Sequence, residues 1–159
     1  MLKYINCDIV FQEFPDEVTL AFNLSNCPCR CPGCHSTFLW KDAGKPLTTA
    51  AIGEALKHYG ADLTCIGIMG GDAEPAAVNE LAIHLRKTYP HLKIGWYTGR
   101  TSIAREIEKE HFNYIKVGPY IRHLGGLDSR QTNQRMYRID SEGRMTDITS
   151  RFWEQPLAK

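Results

Sequence analysis

The chain has 159 residues, of which 43% are hydrophobic and 23% charged, and its formal net charge at pH 7 is +1. This length and composition predict a single globular domain over residues 1–159, with a core large enough to need no disulfide bridges. The small net charge gives no reason to expect nucleic-acid or membrane binding. No stretch approaches the roughly 18 apolar residues of a membrane span, and acidic residues near the N-terminus argue against a signal peptide. We therefore expect a cytoplasmic protein.

The first predicted elements are strands that lead into a cysteine-rich loop. Residues 4–11, "YINCDIVF", are predicted to be extended, and residues 17–25, "EVTLAFNLS", to form a buried strand. The loop that follows, "CPCRCPGCHS" at residues 27–36, places four cysteines in eight positions. Its prolines exclude regular secondary structure, so the thiol groups can converge.

Helices and strands alternate after this loop. Apolar residues at helical spacing predict a first helix within residues 46–60, with Thr48 as its N-cap. Pro75 is predicted to begin a second helix, and a charged third helix is predicted over residues 101–110. Short apolar runs bounded by glycines predict buried strands within residues 63–71, 92–99 and 113–120.

This alternation predicts an α/β fold in which crossovers join parallel strands. Three or four such units are too few to close an eightfold barrel, so we expect a partial, open barrel of mostly parallel strands. Chemistry in such folds is found at the carboxyl ends of the strands. The cysteine loop, Gly70-Gly71-Asp72 and Thr98-Gly99-Arg100 follow three successive predicted strands, so we expect them to meet at one edge of the sheet.

The segment at residues 118–134 has no clear period. A loop of this length inside a compact domain is uncommon and is often functional. Its cations Arg122, His123 and Arg130 either face an anionic ligand or partner or are simply solvated. The segment is our candidate for docking or gating a partner.

The last predicted elements are a hairpin and a docked tail. Residues 136–149, "MYRIDSEGRMTDIT", predict a C-terminal hairpin that turns at residues 141–143. The tail at residues 150–159 carries Phe152 and Trp153, which are apolar enough to pack against the fold.

Six cysteines in a reducing compartment indicate metal or redox chemistry rather than disulfides. A closed zinc site usually needs two C-x2-C pairs, and only Cys31 and Cys34 form one, although Cys27 and His35 could complete a cramped site. A ferredoxin-like cluster needs a different spacing and a fourth thiolate. The spacing C-x3-C-x2-C instead offers three thiolates, which can hold three irons of a cubane and leave the fourth iron open.

This spacing after a first strand resembles the signature of the radical S-adenosylmethionine enzymes. The stretch "VTLAFNLSNCPCRCPGCHS", followed by "GGDAEP", "WYTG" and a late "TNQ", is similar to the activating proteins of anaerobic ribonucleoside-triphosphate reductases. The similarity spans roughly residues 8–135. It implies that Cys27, Cys31 and Cys34 are the ligands of a [4Fe-4S] cluster with one open iron, and that Cys29 is an extra thiol outside the ligand set.

The same resemblance implies a site for S-adenosylmethionine. Gly70, Gly71 and Asp72 match the stretch that receives the methionine amino group of this cofactor, and two glycines allow a ligand to approach the backbone closely. The structural alternative is a tight turn in which Asp72 caps the following helix. Thr98 and Gly99 match a cofactor contact, with a plain β–α turn as the alternative.

The chain departs from the family pattern at several positions. Asp72 replaces the commoner glutamate, and Gly33 replaces an aromatic residue, so the backbone there would hold the adenine. Related activators often carry an acid and a lysine where this chain has Val117 and Pro119. No function is assigned to Lys116.

The resemblance implies an oxidoreductase that cleaves S-adenosylmethionine reductively and generates a glycyl radical on a partner protein. The implied partners are the large glycyl-radical subunit of an anaerobic ribonucleoside-triphosphate reductase and a one-electron donor such as flavodoxin or ferredoxin. The alternatives are a radical enzyme that acts on a small molecule, and a non-catalytic iron–sulfur or zinc module.

Overall fold

A computed structural model describes residues 1–154 of the chain. Eight strands form one sheet: β1 (Lys3–Val10), β2 (Thr19–Leu24), β3 (Lys45–Pro46), β4 (Cys65–Met69), β5 (Lys93–Tyr97), β6 (Tyr114–Val117), β7 (Arg135–Ile139) and β8 (Met145–Asp147). The two α-helices are α1 (Thr49–Tyr59) and α2 (Pro75–Thr88), and the three 3₁₀ turns are Thr37–Trp40, Lys109–His111 and Thr149–Trp153. The spatial order of the strands is β3-β1-β2-β4-β5-β6-β7-β8.

The middle of the sheet is parallel and both flanks are antiparallel. Strands β2, β4, β5 and β6 pair in parallel, whereas β1, β3, β7 and β8 add antiparallel pairs. The prediction of mostly parallel strands is therefore wrong, since four of the seven pairings are antiparallel. Residues 11–18 and 118–134 contain no helix to return the chain across the sheet, so the strands that they connect run in opposite directions. The fold is a mixed α/β sheet with β3 and β8 at its edges.

Local signals in the sequence correctly located the two helices and the hairpin. The hydroxyl of Thr48 accepts a hydrogen bond of 3.0 Å from the backbone N–H of Ala51, as expected of an N-cap. Pro75 is the first residue of α2. The predicted hairpin is formed by β7 and β8, which pair antiparallel.

The predicted docking of the tail is confirmed as far as the described residues reach. The indole N–H of Trp153 donates to the carbonyl of Leu127 over 3.0 Å, and Phe152 packs against a buried cluster around Phe14. The rest of the predicted tail, residues 155–159, lies outside the described residues.

The predicted third helix at residues 101–110 is absent from the structure, which has turns there and one 3₁₀ turn. Asn79 of α2 accounts for this difference. Its buried side chain accepts a 2.9 Å hydrogen bond from the backbone N–H of Glu108 and donates one to the Glu108 carboxylate. These tertiary bonds, with Ile107 buried in the core, override the helical propensity of the segment.

The two faces of the sheet are buried in different ways. Helices α1 and α2 cover one face with a large apolar cluster, whose largest buried members include Trp96, Phe22, Phe112, Leu20 and Leu24. The hairpin loop between β1 and β2 covers the other face by inserting Phe14, which is fully buried. Phe14 lies directly over Gly67 and Gly95, where a Cβ atom would come within 3.1 and 2.4 Å of its ring. Within residues 1–154, neither helix is long and apolar enough to cross a membrane.

Candidate metal centre

The loops predicted to meet at one edge of the sheet do meet there. Asp72, after β4, is buried and accepts hydrogen bonds from the hydroxyl of Thr98 (2.5 Å) and the backbone N–H of Gly99 (2.8 Å), which follow β5. The thiol of Cys29, in the loop after β2, donates to the same carboxylate over 3.5 Å. Asp72 therefore joins the ends of three neighbouring parallel strands.

The tight turn expected at Gly70, Gly71 and Asp72 is present, since the N–H of Glu74 donates to the Gly71 carbonyl over 2.9 Å, but the capping role of Asp72 and the plain β–α turn at Thr98 and Gly99 are wrong. Asp72 does not cap α2, because the N-cap is Glu74, which makes no side-chain capping bond. Thr98 and Gly99 do not begin an α-helix, and they hold the Asp72 carboxylate instead. The sequence predicted that these residues lie together but did not predict that Asp72 would be their shared acceptor.

The cysteine loop is closed at its base by a short backbone ladder. The N–H groups of Asn26 and Cys27 donate to the carbonyls of Lys41 and Leu39, over 2.9 and 3.0 Å. Asn26 and Arg30 both have positive φ angles, +61° and +44°. Backbone in this region is strained for residues other than glycine and is concentrated at functional sites.

Cys31 and Cys34 lie at the two ends of a tight turn. The N–H of Cys34 donates to the carbonyl of Cys31 over 3.0 Å. Pro32 and Gly33 occupy the central positions, and Gly33 has the positive φ, +78°, that such a turn needs. The N–H of Ser36 points at the Cys34 sulfur from 3.3 Å. A hydrogen bond of this kind stabilises a metal-bound thiolate and tunes its potential.

Cys29 differs from the other three thiols of the loop because it points into the edge of the sheet. A Cβ atom on Gly99 would lie 2.8 Å from its sulfur. Burial, the Asp72 carboxylate and the neighbouring Cys27 raise the pKa of the Cys29 thiol to about 12. Cys29 is thus a protonated donor to Asp72, and its place outside the ligand set stays a prediction.

The Gly70-Gly71 turn is fixed by its neighbours. The indole of Trp96 donates to the Gly70 carbonyl over 2.7 Å, and the Gly70 N–H donates to the carbonyl of Tyr97. Both glycines have positive φ angles, +118° and +94°, and a Cβ on Gly71 would lie 2.5 Å from a methyl group of Val78. Glycine is therefore required at position 71, where the backbone is buried and its carbonyl accepts a 2.9 Å hydrogen bond from the N–H of Glu74.

Lys116 is a site residue to which the sequence analysis gave no function. Its buried ammonium donates to the carbonyls of Thr98 and Gly118, over 3.1 and 3.0 Å, and lies 5.2 Å from the centre of the Tyr97 ring. Burial lowers its pKa to about 8, although Asp72 and the loop cysteines raise it. The signal in the sequence was a lysine inside the apolar strand "YIKV", because a lysine is rarely buried unless its charge is paired.

The segment at residues 118–134 borders the cysteine loop. The ring of Tyr120 packs edge-on against His35, with 5.6 Å between the ring centres. The side chain of Arg122 lies close to Gly33, and a Cβ atom on Gly33 would be 3.2 Å from the Cδ of Arg122. Leu127 is buried in the cluster around Phe14, so part of the segment belongs to the core. Its role in docking or gating a partner stays a prediction.

The two cysteines outside the loop are structural. Cys65 is fully buried at the amino end of β4, and burial raises its pKa to about 12. Cys7 lies on β1, pairs with Phe22 across the sheet, and packs against the core. The chain therefore offers no second cysteine pair to complete a closed zinc site.

A different group of metal-ligating residues stands before β6. In the described part of the chain, one group of three His, Cys, Asp or Glu side chains has its ligand atoms within 4.8 Å of one another. Its members are Glu108, Glu110 and His111. They are mostly exposed and precede the strand, at the end opposite the cysteine loop. The loop thiols Cys27, Cys31 and Cys34 are half-buried, and thiolates of this kind are the ligands of soft metals and of iron–sulfur clusters.

The sequence pattern of one known family extends over the cysteine loop and the surrounding strand ends. That family is described as the 4Fe-4S single cluster domain, and it matches residues 18–124, about two thirds of the chain. No curated protein and no solved structure gives a significant match. The matched range contains Cys27, Cys31 and Cys34, so an iron–sulfur protein is indicated over a zinc protein. The chain therefore belongs to the family of 4Fe-4S single cluster domains.

Proposed function

We propose that Cys27, Cys31 and Cys34 bind a [4Fe-4S] cluster in which one iron has no protein ligand. The family membership supports the cluster, and the engagement of Cys29 with Asp72 supports a set of three thiolates. Two features suit these residues to a cluster. The tight turn brings Cys31 and Cys34 near each other, and the N–H of Ser36 donates to the Cys34 sulfur. An iron with an open position binds substrate, whereas full ligation only stores the metal.

We further propose that S-adenosylmethionine binds at this open iron, beside Gly70, Gly71 and Asp72. A carboxylate has about four acceptor sites, and Asp72 uses three of them on Thr98, Gly99 and Cys29. The remaining site suits the amino group of a methionine. Held by Cys27, Cys31 and Cys34, the cluster would supply one-electron chemistry: an electron taken from an external donor would pass to the sulfonium of the cofactor and break its S–C5′ bond.

The proposed substrate is a glycine in the backbone of a large glycyl-radical subunit, that of an anaerobic ribonucleoside-triphosphate reductase. Phe14 fills the face of the sheet on which a barrel enzyme would hold a small molecule. The thiols and Gly99 instead lie half-exposed at the rim, where a protein segment and an electron donor of the flavodoxin or ferredoxin class have access. The 118–134 segment forms part of this rim.

The convergence of Cys29, Asp72 and Thr98 carries this proposal, because it joins the cysteine loop directly to the predicted cofactor site. The test is anaerobic reconstitution with iron and sulfide, reduction, and addition of S-adenosylmethionine with and without the candidate reductase. We expect methionine and 5′-deoxyadenosine as products, and a glycine-centred radical by EPR only when the reductase is present. A cluster spectrum that S-adenosylmethionine leaves unchanged would instead identify an electron carrier.

The substitution Asp72→Ala is expected to weaken S-adenosylmethionine binding to the cluster-loaded protein at least about tenfold, the usual cost of losing a hydrogen bond to a charged group. Anaerobic calorimetry would measure this loss, with iron content as the check on cluster loading. Glu74→Ala is the matched control, since it removes a carboxylate two residues away that makes no contact with the site. Equal affinities in the two variants would exclude Asp72 from the cofactor site.

A further inference from the structure

Lys116 is a buried cation at the carboxyl end of β6. Only 7% of its surface is exposed. Its direct hydrogen-bond partners are the carbonyl oxygens of Thr98 and Gly118, and the Tyr97 ring lies beside it. Within residues 1–154, both hydrogen bonds of the ammonium go to uncharged carbonyl groups and neither goes to a carboxylate. A buried charge without a counter-charge is costly, so the position of this ammonium calls for an anion nearby.

The anionic groups around Lys116 are those of the candidate metal centre. Its first partner, Thr98, donates to Asp72, and Asp72 accepts from Cys29 in the cysteine loop. The group that most favours the protonated lysine is Asp72, followed by Cys31, and Cys27 adds to them. Two residues therefore link the ammonium to the loop: Lys116 contacts the Thr98 carbonyl, and the Thr98 hydroxyl contacts the carboxylate of Asp72 that Cys29 also contacts.

We propose that Lys116 supplies the fixed counter-charge of the 4Fe-4S cluster and raises its reduction potential. Reduction adds one electron, and hence one negative charge, to a cluster already held by thiolates. A buried positive charge stabilises the reduced form more than the oxidised form, because Coulomb interactions are strong where water is excluded. In the test below the electron comes from dithionite, which is oxidised, and no proton or covalent bond is exchanged with the lysine.

This role follows from the chain's own geometry. Lys116 lies two residues before Gly118, inside the strand, whereas the lysine of related activators would stand at Pro119. The proposal depends on the loop holding the cluster and is independent of whether the loaded protein cleaves S-adenosylmethionine. A protein that is only an electron carrier would show the same effect.

The test is an EPR-monitored redox titration of reconstituted protein at pH 7, with dithionite and mediators. Lys116→Met is expected to lower the equilibrium constant for one-electron reduction about tenfold, which is a shift of about 59 mV to more negative potential. Lys116→Arg keeps the charge and is expected to restore most of the wild-type potential. Lys87→Met, which removes an exposed charge from the far end of α2, is the matched control and is expected to change nothing.

A potential for Lys116→Met that equals the wild-type value would overturn the assignment, as would a shift to a more positive value. Loss of the cluster in both Lys116→Met and Lys116→Arg would also overturn it, because packing and not charge would then be the requirement. Loss of the cluster in Lys116→Met alone, with normal iron content in Lys116→Arg, would support the counter-charge. Iron and sulfide analysis of each variant separates these outcomes before any potential is measured.

Discussion

Alanine at Cys27, Cys31 or Cys34 is expected to abolish cluster assembly, leaving almost no bound iron or sulfide after anaerobic reconstitution. Each of these thiolates would be the one protein ligand of its iron, and no further cysteine in the loop is free to replace it. Cys29 is engaged with Asp72, and the same carboxylate helps keep its thiol protonated. Iron and sulfide content, together with the visible spectrum, would measure the loss.

The remaining three cysteines are the internal controls for that experiment. Cys7→Ala, Cys29→Ala and Cys65→Ala should each retain the cluster, since Cys7 and Cys65 lie in the sheet and Cys29 lies outside the ligand set. A protein that loses its cluster with Cys29→Ala and keeps it with Cys31→Ala would show that the ligand register is wrong. If the loaded cluster were found to have four protein ligands, no iron would have an open position, and the proposed activity would be excluded.

Much of the fold could be predicted because strong local signals agree with the final structure. The Thr48 cap, the proline that begins α2 and the turn near Gly143 each act within a few residues, so the chain around them decides their conformation. The segment at residues 101–110, where a helix was predicted and none forms, is the opposite case. Its conformation depends on Asn79, which is more than twenty residues away in the sequence and supplies hydrogen bonds that no local pattern reveals.

The candidate site was predictable in outline for a similar reason. Residues that follow successive parallel strands must emerge at one edge, so the cysteine loop, Asp72 and Thr98 could be brought together from their order alone. Their hydrogen bonds could not be predicted, because the choice of Asp72 as common acceptor depends on the side-chain directions at three strand ends. The position of Lys116 inside an apolar strand was a usable signal, but its partners could not be predicted, because they are backbone carbonyls that leave no trace in the sequence.

Phe14 closes the second face of the sheet, and Phe14→Ala is expected to lower the free energy of unfolding by about 3–5 kcal/mol. The ring is fully buried and packs edge-on against Tyr97 at 5.2 Å. Gly95→Ala should cost about 1–3 kcal/mol through overpacking, because its new methyl group would lie 2.4 Å from the same ring. Urea unfolding of the cluster-loaded proteins under anaerobic conditions would measure both losses.

The double variant decides whether Phe14 and Gly95 act as one packing unit. With the ring removed, the new methyl group fills part of the cavity that it leaves, so Phe14→Ala with Gly95→Ala should cost at least about 1 kcal/mol less than the sum of the single changes. Gly53→Ala in α1 is the matched control, since its methyl group meets only the Tyr89 hydroxyl at 3.4 Å and should stabilise the helix by about 0.5–1 kcal/mol. Strict additivity of the two core changes would mean that Phe14 does not fill the space over Gly95. The face that a small-molecule substrate would need would then be open, and the inference that this chain acts on a protein segment would lose its structural support.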